Sequence, residues 1–370
     1  MNPEYNIDDI APLQELVRQN ELFVLGPSNV RDVYDLTNYI FASNAFKRDL
    51  RALVDNNLLT RAIELASGAE VPNDPSKRRP YLLSAATMAF LIIGEFLIEP
   101  SLAIYEKASI LGNEEAKKQL FLFRVADHIH PQQWLNLALQ RIDRISETEI
   151  KYASDMVIKT QPEIEEENFE KTLDIWKLNY YFVLKAADIW KNSNDELSSA
   201  LNFIKWMETD SFLNAVASVF NLVFFSPKRY SKMIKGINSE SADKFKNGLK
   251  NAAWDLVYIS HWGRNCKEAN ENTLWLLCSN DLALRGVACN IFEDPKMGEN
   301  HLQHLLSYYW GAQKAATILD VYNKTFFSIN SDPSLRDTVL KYRFSELDKS
   351  ILSLERSVMT PIKTANYPAT

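Results

Sequence analysis

Apolar residues recur along most of this chain at the three-to-four-residue step of amphipathic helices. Residues 8–24 form one such stretch, stopping before Gly26-Pro27-Ser28-Asn29. "VRDVYDLT", residues 30–37, carries Val and Tyr and is predicted as a short strand. A helix is predicted from there to about residue 67, broken at Asn56-Asn57. The Pro, Asn, Asp and Gly of "GAEVPNDPSKRRP", residues 68–80, mark a loop. The most apolar stretch, "YLLSAATMAFLIIGEFLIEP", spans 81–100, yet only Leu82 to Ile93 is free of charge and glycine. That is short of the ~20 residues a membrane span needs. It reads as a buried helix followed by the strand "FLIEP", and Pro100 suits the first turn of the helix beyond it.

Between 131 and 222 only helical patterns occur, as in "PQQWLNLALQRID" and "NFEKTLDIWKLNYYFVLKAADIWKN". The acidic run "PEIEEENFE", 162–170, is the pattern of a solvated helix start. "AAWDLVYISHWGRN" is a further helix, and the apolar run Thr273 to Cys278 is a strand that stops at Ser279-Asn280-Asp281. A helix begins at Leu282, "EDPKMGEN" is a loop, helices follow, and the last dozen residues form a loose tail. Short apolar strands alternating with helices predict an α/β fold, predominantly helical, with a small parallel sheet flanked by helices. Sites in such folds lie at the C-terminal ends of the strands.

That expectation directs attention to four carboxylates. Asp35 closes "RDVYD", Glu106 lies two turns into the helix after "FLIEP", and Asp281 directly follows the last strand. Asp255 sits early in the helix before that strand. Carboxylates brought together repel, so they need a cation or must take up protons. Hard divalent ions such as Mg²⁺ and Mn²⁺ take oxygen ligands of this kind and can activate water. Each acid also has a plainer reading: Asp35 and Asp281 as helix caps, Glu106 and Asp255 as charges on helix surfaces.

Order and surroundings of these acids carry a resemblance. "VYDLTNYI" resembles the first motif of PIN-like nucleases, a strand, an aspartate and a small polar residue. "IEPSLAIYEKAS", "AAWDLVYI" and "LWLLCSNDLAL" resemble the second, third and fourth, in the family's order. The resemblance implies a PIN-like, metal-dependent endoribonuclease in which Asp35, Glu106, Asp255 and Asp281 bind Mg²⁺ or Mn²⁺. A metal-bound water would attack an RNA phosphodiester, with Thr37, Asn38, Ser279 and Asn280 as hydrogen-bonding neighbours. The family usually has Asn two residues after the first aspartate, where this chain has Thr37, with Asn38 next. Glu95 and Glu99 are rivals for Glu106. About 150 residues separate the second and third motifs, implying a large helical insertion. The expected organisation is one discontinuous PIN-like domain with its core at about 25–125 and 250–310. A helical insertion would span 126–249, C-terminal helices 311–358 and the tail 359–370.

Net charge is −7 over 370 residues, so the chain as a whole is no cationic nucleic-acid coat. A local basic stretch nevertheless precedes Asp255: Lys228, Arg229, Lys232, Lys235, Lys244, Lys246 and Lys250, with Tyr230 and Phe245 interleaved. It reads as a guide for an RNA backbone or as a solvated lysine-rich loop. The three cysteines form no CxxC pair, and "MNPEYNIDDIAPLQEL" has no signal-peptide core, so a reducing cytoplasm is expected. His301 and His304 near Glu299 are a weak metal signal, and His261 follows Asp255 by six residues. No Walker loop, GxGxxG, GxSxG or HExxH occurs. Expected partners are an RNA substrate and, from the resemblance to toxins and defence effectors, a regulatory protein or antitoxin or a second copy of the chain; no membrane is expected. The competing reading starts from "SLAIYEKASILGNEEAKKQL", which also resembles one Sel1-like or tetratricopeptide unit and implies a helical scaffold for protein partners without catalysis.

Overall fold

A computed structural model describes residues 5–28, 30–160, 168–193, 195–209, 214–292, 301–330 and 333–359. A 3-10 turn, Ile7–Asp9, leads into α1 (Ile10–Gln19), β1 (Phe23–Leu25), α2 (Leu36–Phe46) and β2 (Asp49–Val54). Next come α3 (Asn56–Ala66), α4 (Pro75–Ile93), β3 (Leu97–Glu99), α5 (Ser101–Leu111), α6 (Asn113–His128), α7 (Pro131–Ala138) and α8 (Glu147–Thr160). Helices α9 (Asp174–Asn192), α10 (Glu196–Thr209), α11 (Ala215–Phe224) and α12 (Ala242–Glu268) precede β4 (Thr273–Cys278). The chain continues through α13 (Leu282–Ala288), α14 (His301–Trp310), α15 (Ala312–Asn330), α16 (Pro333–Ser345) and α17 (Leu347–Met359).

Two compact units emerge: residues 1–172 with 261–285, and residues 173–260 with 286–370. The first contains the whole sheet, with strand order β1-β4-β2-β3. β2 pairs parallel with both β3 and β4, while β1 runs antiparallel to β4, so the sheet is mixed rather than parallel. A two-residue alternation is lost along β4, where Leu274 to Cys278 are all buried. This is the signature of a strand covered on both faces. The sheet stays anchored to α12 because the fully buried Trp262 donates its indole N–H to the Trp275 carbonyl at 3.2 Å.

The predicted buried helix is α4, whose Ser84 hydroxyl donates to the Leu58 carbonyl at 2.7 Å inside the core. Among the described residues no helix is long and apolar enough to cross a membrane. Two sequence expectations fail in the same region. Residues 30–37 form no strand; turns lead into α2, with the Asp32 carboxylate accepting from the Tyr34 N–H at 2.9 Å. The predicted helix running to residue 67 is instead α2, β2 and α3. Lys47, in a left-handed conformation with φ 53°, ends α2 and lets the chain re-enter the sheet.

In the second unit α17 lies along α9. The Lys177 ammonium meets Asp348 at 3.0 Å, the Tyr180 hydroxyl donates to Glu355 at 2.8 Å, and Lys191 donates to the Val358 carbonyl. The stretch 131–222 is helical wherever described, and α7 and α8, inside the expected insertion, belong to the first unit. Most of the acidic run at 162–170, the loop "EDPKMGEN" with Glu299, and nearly all of the tail lie outside the described residues.

Candidate functional site

Three parallel strand ends carry polar groups to one edge of the sheet. β2 ends in Asp55, β4 in Ser279, and β3 in Glu99. Ladder register sets their side: Leu53 stands opposite both Glu99 and Leu277. Two residues further on, Asp55 and Ser279 share that face, because side chains alternate along extended chain. The ladder continues past the strand, with the Asp55 N–H donating to the Cys278 carbonyl at 3.0 Å.

Asp55 is the centre of this arrangement. Its carboxylate is buried, accepts the Leu58 N–H at 2.9 Å as the cap of α3, and accepts the Ser279 hydroxyl. The same Ser279 oxygen accepts the Asp281 backbone N–H at 2.9 Å, so one hydroxyl links the Asp55 carboxylate to the main chain at Asp281. Burial, and secondarily the negative charge of Asp281, push the Asp55 carboxyl up to about 6, against hydrogen bonds from Ser279, Leu58 and Asn57. Burial and the charge of Asp55 likewise raise the Cys278 thiol.

Asp281 caps α13 by accepting the Ala283 and Leu284 N–H groups at 2.9 and 3.2 Å. Buried Arg285 donates to the Ser279 carbonyl at 2.9 Å and fixes the turn between strand and helix. Asn280, between the two, is half-buried. Glu99 accepts the Ser101 N–H at 3.0 Å at the start of α5. The charge of Glu99 also reaches His261, whose value is nonetheless lowered, chiefly by burial.

The other expected acids have different local settings. Asp35 caps α2, accepting the Thr37 N–H at 3.0 Å, the Thr37 hydroxyl at 2.6 Å and the Gln14 amide at 3.3 Å. Turns and not a strand lead directly into Asp35, whereas Asp55 directly follows β2. Asn38 points back instead, its amide donating to the Asp32 carbonyl at 3.3 Å. Glu106 is half-buried within α5, beside buried Lys107, whose ammonium is lowered first by burial. Asp255 is half-buried on α12 and belongs to the second unit.

Asp55 is not among the acids expected from the sequence, because β2 carries no clear strand pattern. In "RALVDNN" a mostly apolar strand runs directly into the aspartate.

Among the described residues no three His, Cys, Asp or Glu side chains form a ready-made metal cage. The oxygen donors at Asp55 and Asp281 still suit Mg²⁺, which keeps several waters and binds proteins through one or two carboxylates. Asp55 is raised first by burial and then by the charge of Asp281, and a divalent cation between them would relieve that repulsion. No protein-family model matches the chain, and neither a curated protein nor a solved structure does.

Proposed function

We propose that the chain is a PIN-like endoribonuclease that hydrolyses RNA phosphodiester bonds with Mg²⁺ or Mn²⁺. The observation that supports this most is the Ser279 hydroxyl at the ends of adjacent parallel strands, donating to the Asp55 carboxylate and accepting the Asp281 backbone N–H. Asp55 and Asp281 would hold the ion. Bound there, it would supply an activated water and stabilise charge on the attacked phosphate.

The chain's own residues do the rest. Ser279 holds the Asp55 carboxylate in one orientation, and the α13 cap does the same for Asp281. Burial keeps Asp55 out of bulk water, so its charge acts over short distance with little screening. A carboxyl near 6 also exchanges protons readily around neutral pH. The motif order adds Glu106 as a further acid to be tested.

The test is RNA cleavage by purified protein with Mn²⁺, with Mg²⁺ and with EDTA. Asp55→Asn and Asp281→Asn should each lose cleavage while Asp35→Asn keeps it. Metal-independent cleavage, or normal cleavage by both variants of the pair, sinks the proposal.

A further inference from the structure

The second unit carries the densest run of cations in an acidic chain. From Lys228 to Lys250 seven Lys and Arg residues face only two acids in the sequence, Glu240 and Asp243. Arg229 and Lys246 are tied into the fold. Arg229 lies 3.4 Å from Glu196 and over the Trp190 ring, and Lys246 lies 3.7 Å from Glu355. Lys228, Lys232 and Lys235 are exposed.

These three stand on a fixed loop. Met233 and Ile234 are buried, and the Lys235 carbonyl lies so close to Gly248 of α12 that a Cβ there would come within 1.5 Å. Gly236, at φ +72°, lets the loop turn against Lys244. Lysines on a loop this tightly seated lose little additional backbone entropy when they bind.

An aromatic group sits at the same place. The Lys228 ammonium lies 4.9 Å from the centre of the Tyr308 ring, and Tyr308 is 65% exposed. Tyr308 packs edge-on against Tyr309 at 5.0 Å, and the Tyr309 hydroxyl donates to the Tyr230 hydroxyl at 2.8 Å. Tyr230 belongs to the lysine loop, so ring and cations are held by one network. Exposed rings beside lysines are the chemistry of single-stranded nucleic acid, which offers both base faces and phosphates. A duplex keeps its base faces stacked inside.

We propose that this face of the second unit binds single-stranded RNA, with phosphates on Lys228, Lys232 and Lys235 and a base stacked on Tyr308. The choice of RNA rests on the ribonuclease reading; the surface itself rests on the loop and the ring. The base takes the place of the ammonium on the Tyr308 ring, which leaves Lys228 for a phosphate.

The test uses the full chain in EDTA, where the proposed cleavage is silent. Fluorescence anisotropy follows a labelled mixed-sequence RNA of about 20 nucleotides, its duplex, and polyglutamate, at low and moderate salt. Wild type should bind the single strand more tightly than the duplex. The triple variant Lys228→Ala/Lys232→Ala/Lys235→Ala should bind about 10-fold or more weakly, its log–log salt slope flatter by about 2. Tyr308→Ala should weaken binding about 10-fold with the salt slope kept. Circular dichroism checks that both variants fold. Equal binding by wild type and variants, no RNA binding, preference for the duplex, or equal binding of polyglutamate each overturns the inference. Lysine-dependent binding without any metal-dependent cleavage would leave this surface standing and remove the nuclease reading alone.

Discussion

Replacing Asp55 by Asn should make the protein more stable at alkaline pH. In the folded chain the Asp55 carboxyl stands at about 6, against an ordinary value of 3.8. Between these values the native state holds a proton that the unfolded state has released, so stability falls as pH rises. Above 6 the loss is complete; at ~1.4 kcal/mol per unit it amounts to about 3 kcal/mol. Asn carries no charge and keeps an acceptor for the Leu58 N–H. Its amide can donate to Ser279, and rearranging that bond costs about 1 kcal/mol. The expected net gain is about 2 kcal/mol at pH 8, shrinking to nothing near pH 4. Urea denaturation of both proteins in EDTA, read from pH 4 to pH 8, measures it. A variant less stable than wild type at pH 8, or a difference independent of pH, refutes the reasoning. A gain accompanied by lost cleavage would place the cost of function in this one carboxylate.

Other consequences are open to test. Millimolar Mg²⁺ should raise the urea midpoint of wild type at pH 8 and leave Asp55→Asn unmoved, as binding only to the folded state requires. Asp281→Asn keeps the cap acceptor and should melt within about 1 kcal/mol of wild type, whereas Asp281→Ala loses the cap and about 1 kcal/mol more. Gly248→Ala drives a Cβ into the Lys235 carbonyl and should lower stability by about 3 kcal/mol, read from the urea midpoint. Buried Asp9 is held below the usual carboxylate range first by its hydrogen bonds from Arg141, at 2.6 Å to each oxygen. Asp9→Asn should therefore be less stable than wild type at pH 7, and the deficit should close as pH falls through the acidic range.

Much of the sheet was legible because apolar runs ended in clear punctuation. Pro100 closes β3, and Ser279-Asn280-Asp281 closes β4. β2 was not legible, for two physical reasons. Exposed Arg51 interrupts its apolar run, and its boundary with α2 is made by Lys47 rather than by a glycine. Glu21 and Glu95 likewise adopt positive φ beside β1 and β3, so the usual glycine markers of a turn are missing there. "VRDVYDLT" failed in the opposite direction. Its residues favour extended chain, but strand preference is realised only where a neighbouring strand pairs, and there the Asp32 carboxylate caps a turn instead. Asp281 was legible from its strand and turn; Asp55 was not, because the strand before it gives no clear strand pattern.

The place of β4 in the sheet has a consequence for how the molecule is made. β4 separates β1 from β2, yet roughly 220 residues of chain lie between β2 and β4. At ~5–20 residues per second, a ribosome leaves the edges of β1 and β2 open for on the order of 10 to 40 seconds. Through that interval a nascent chain carries Asp55 but neither Ser279 nor Asp281. Fragments released early by stalling or proteolysis carry half of the acidic pair. Whatever chemistry the pair performs therefore begins only after the central strand has been synthesised and slotted home.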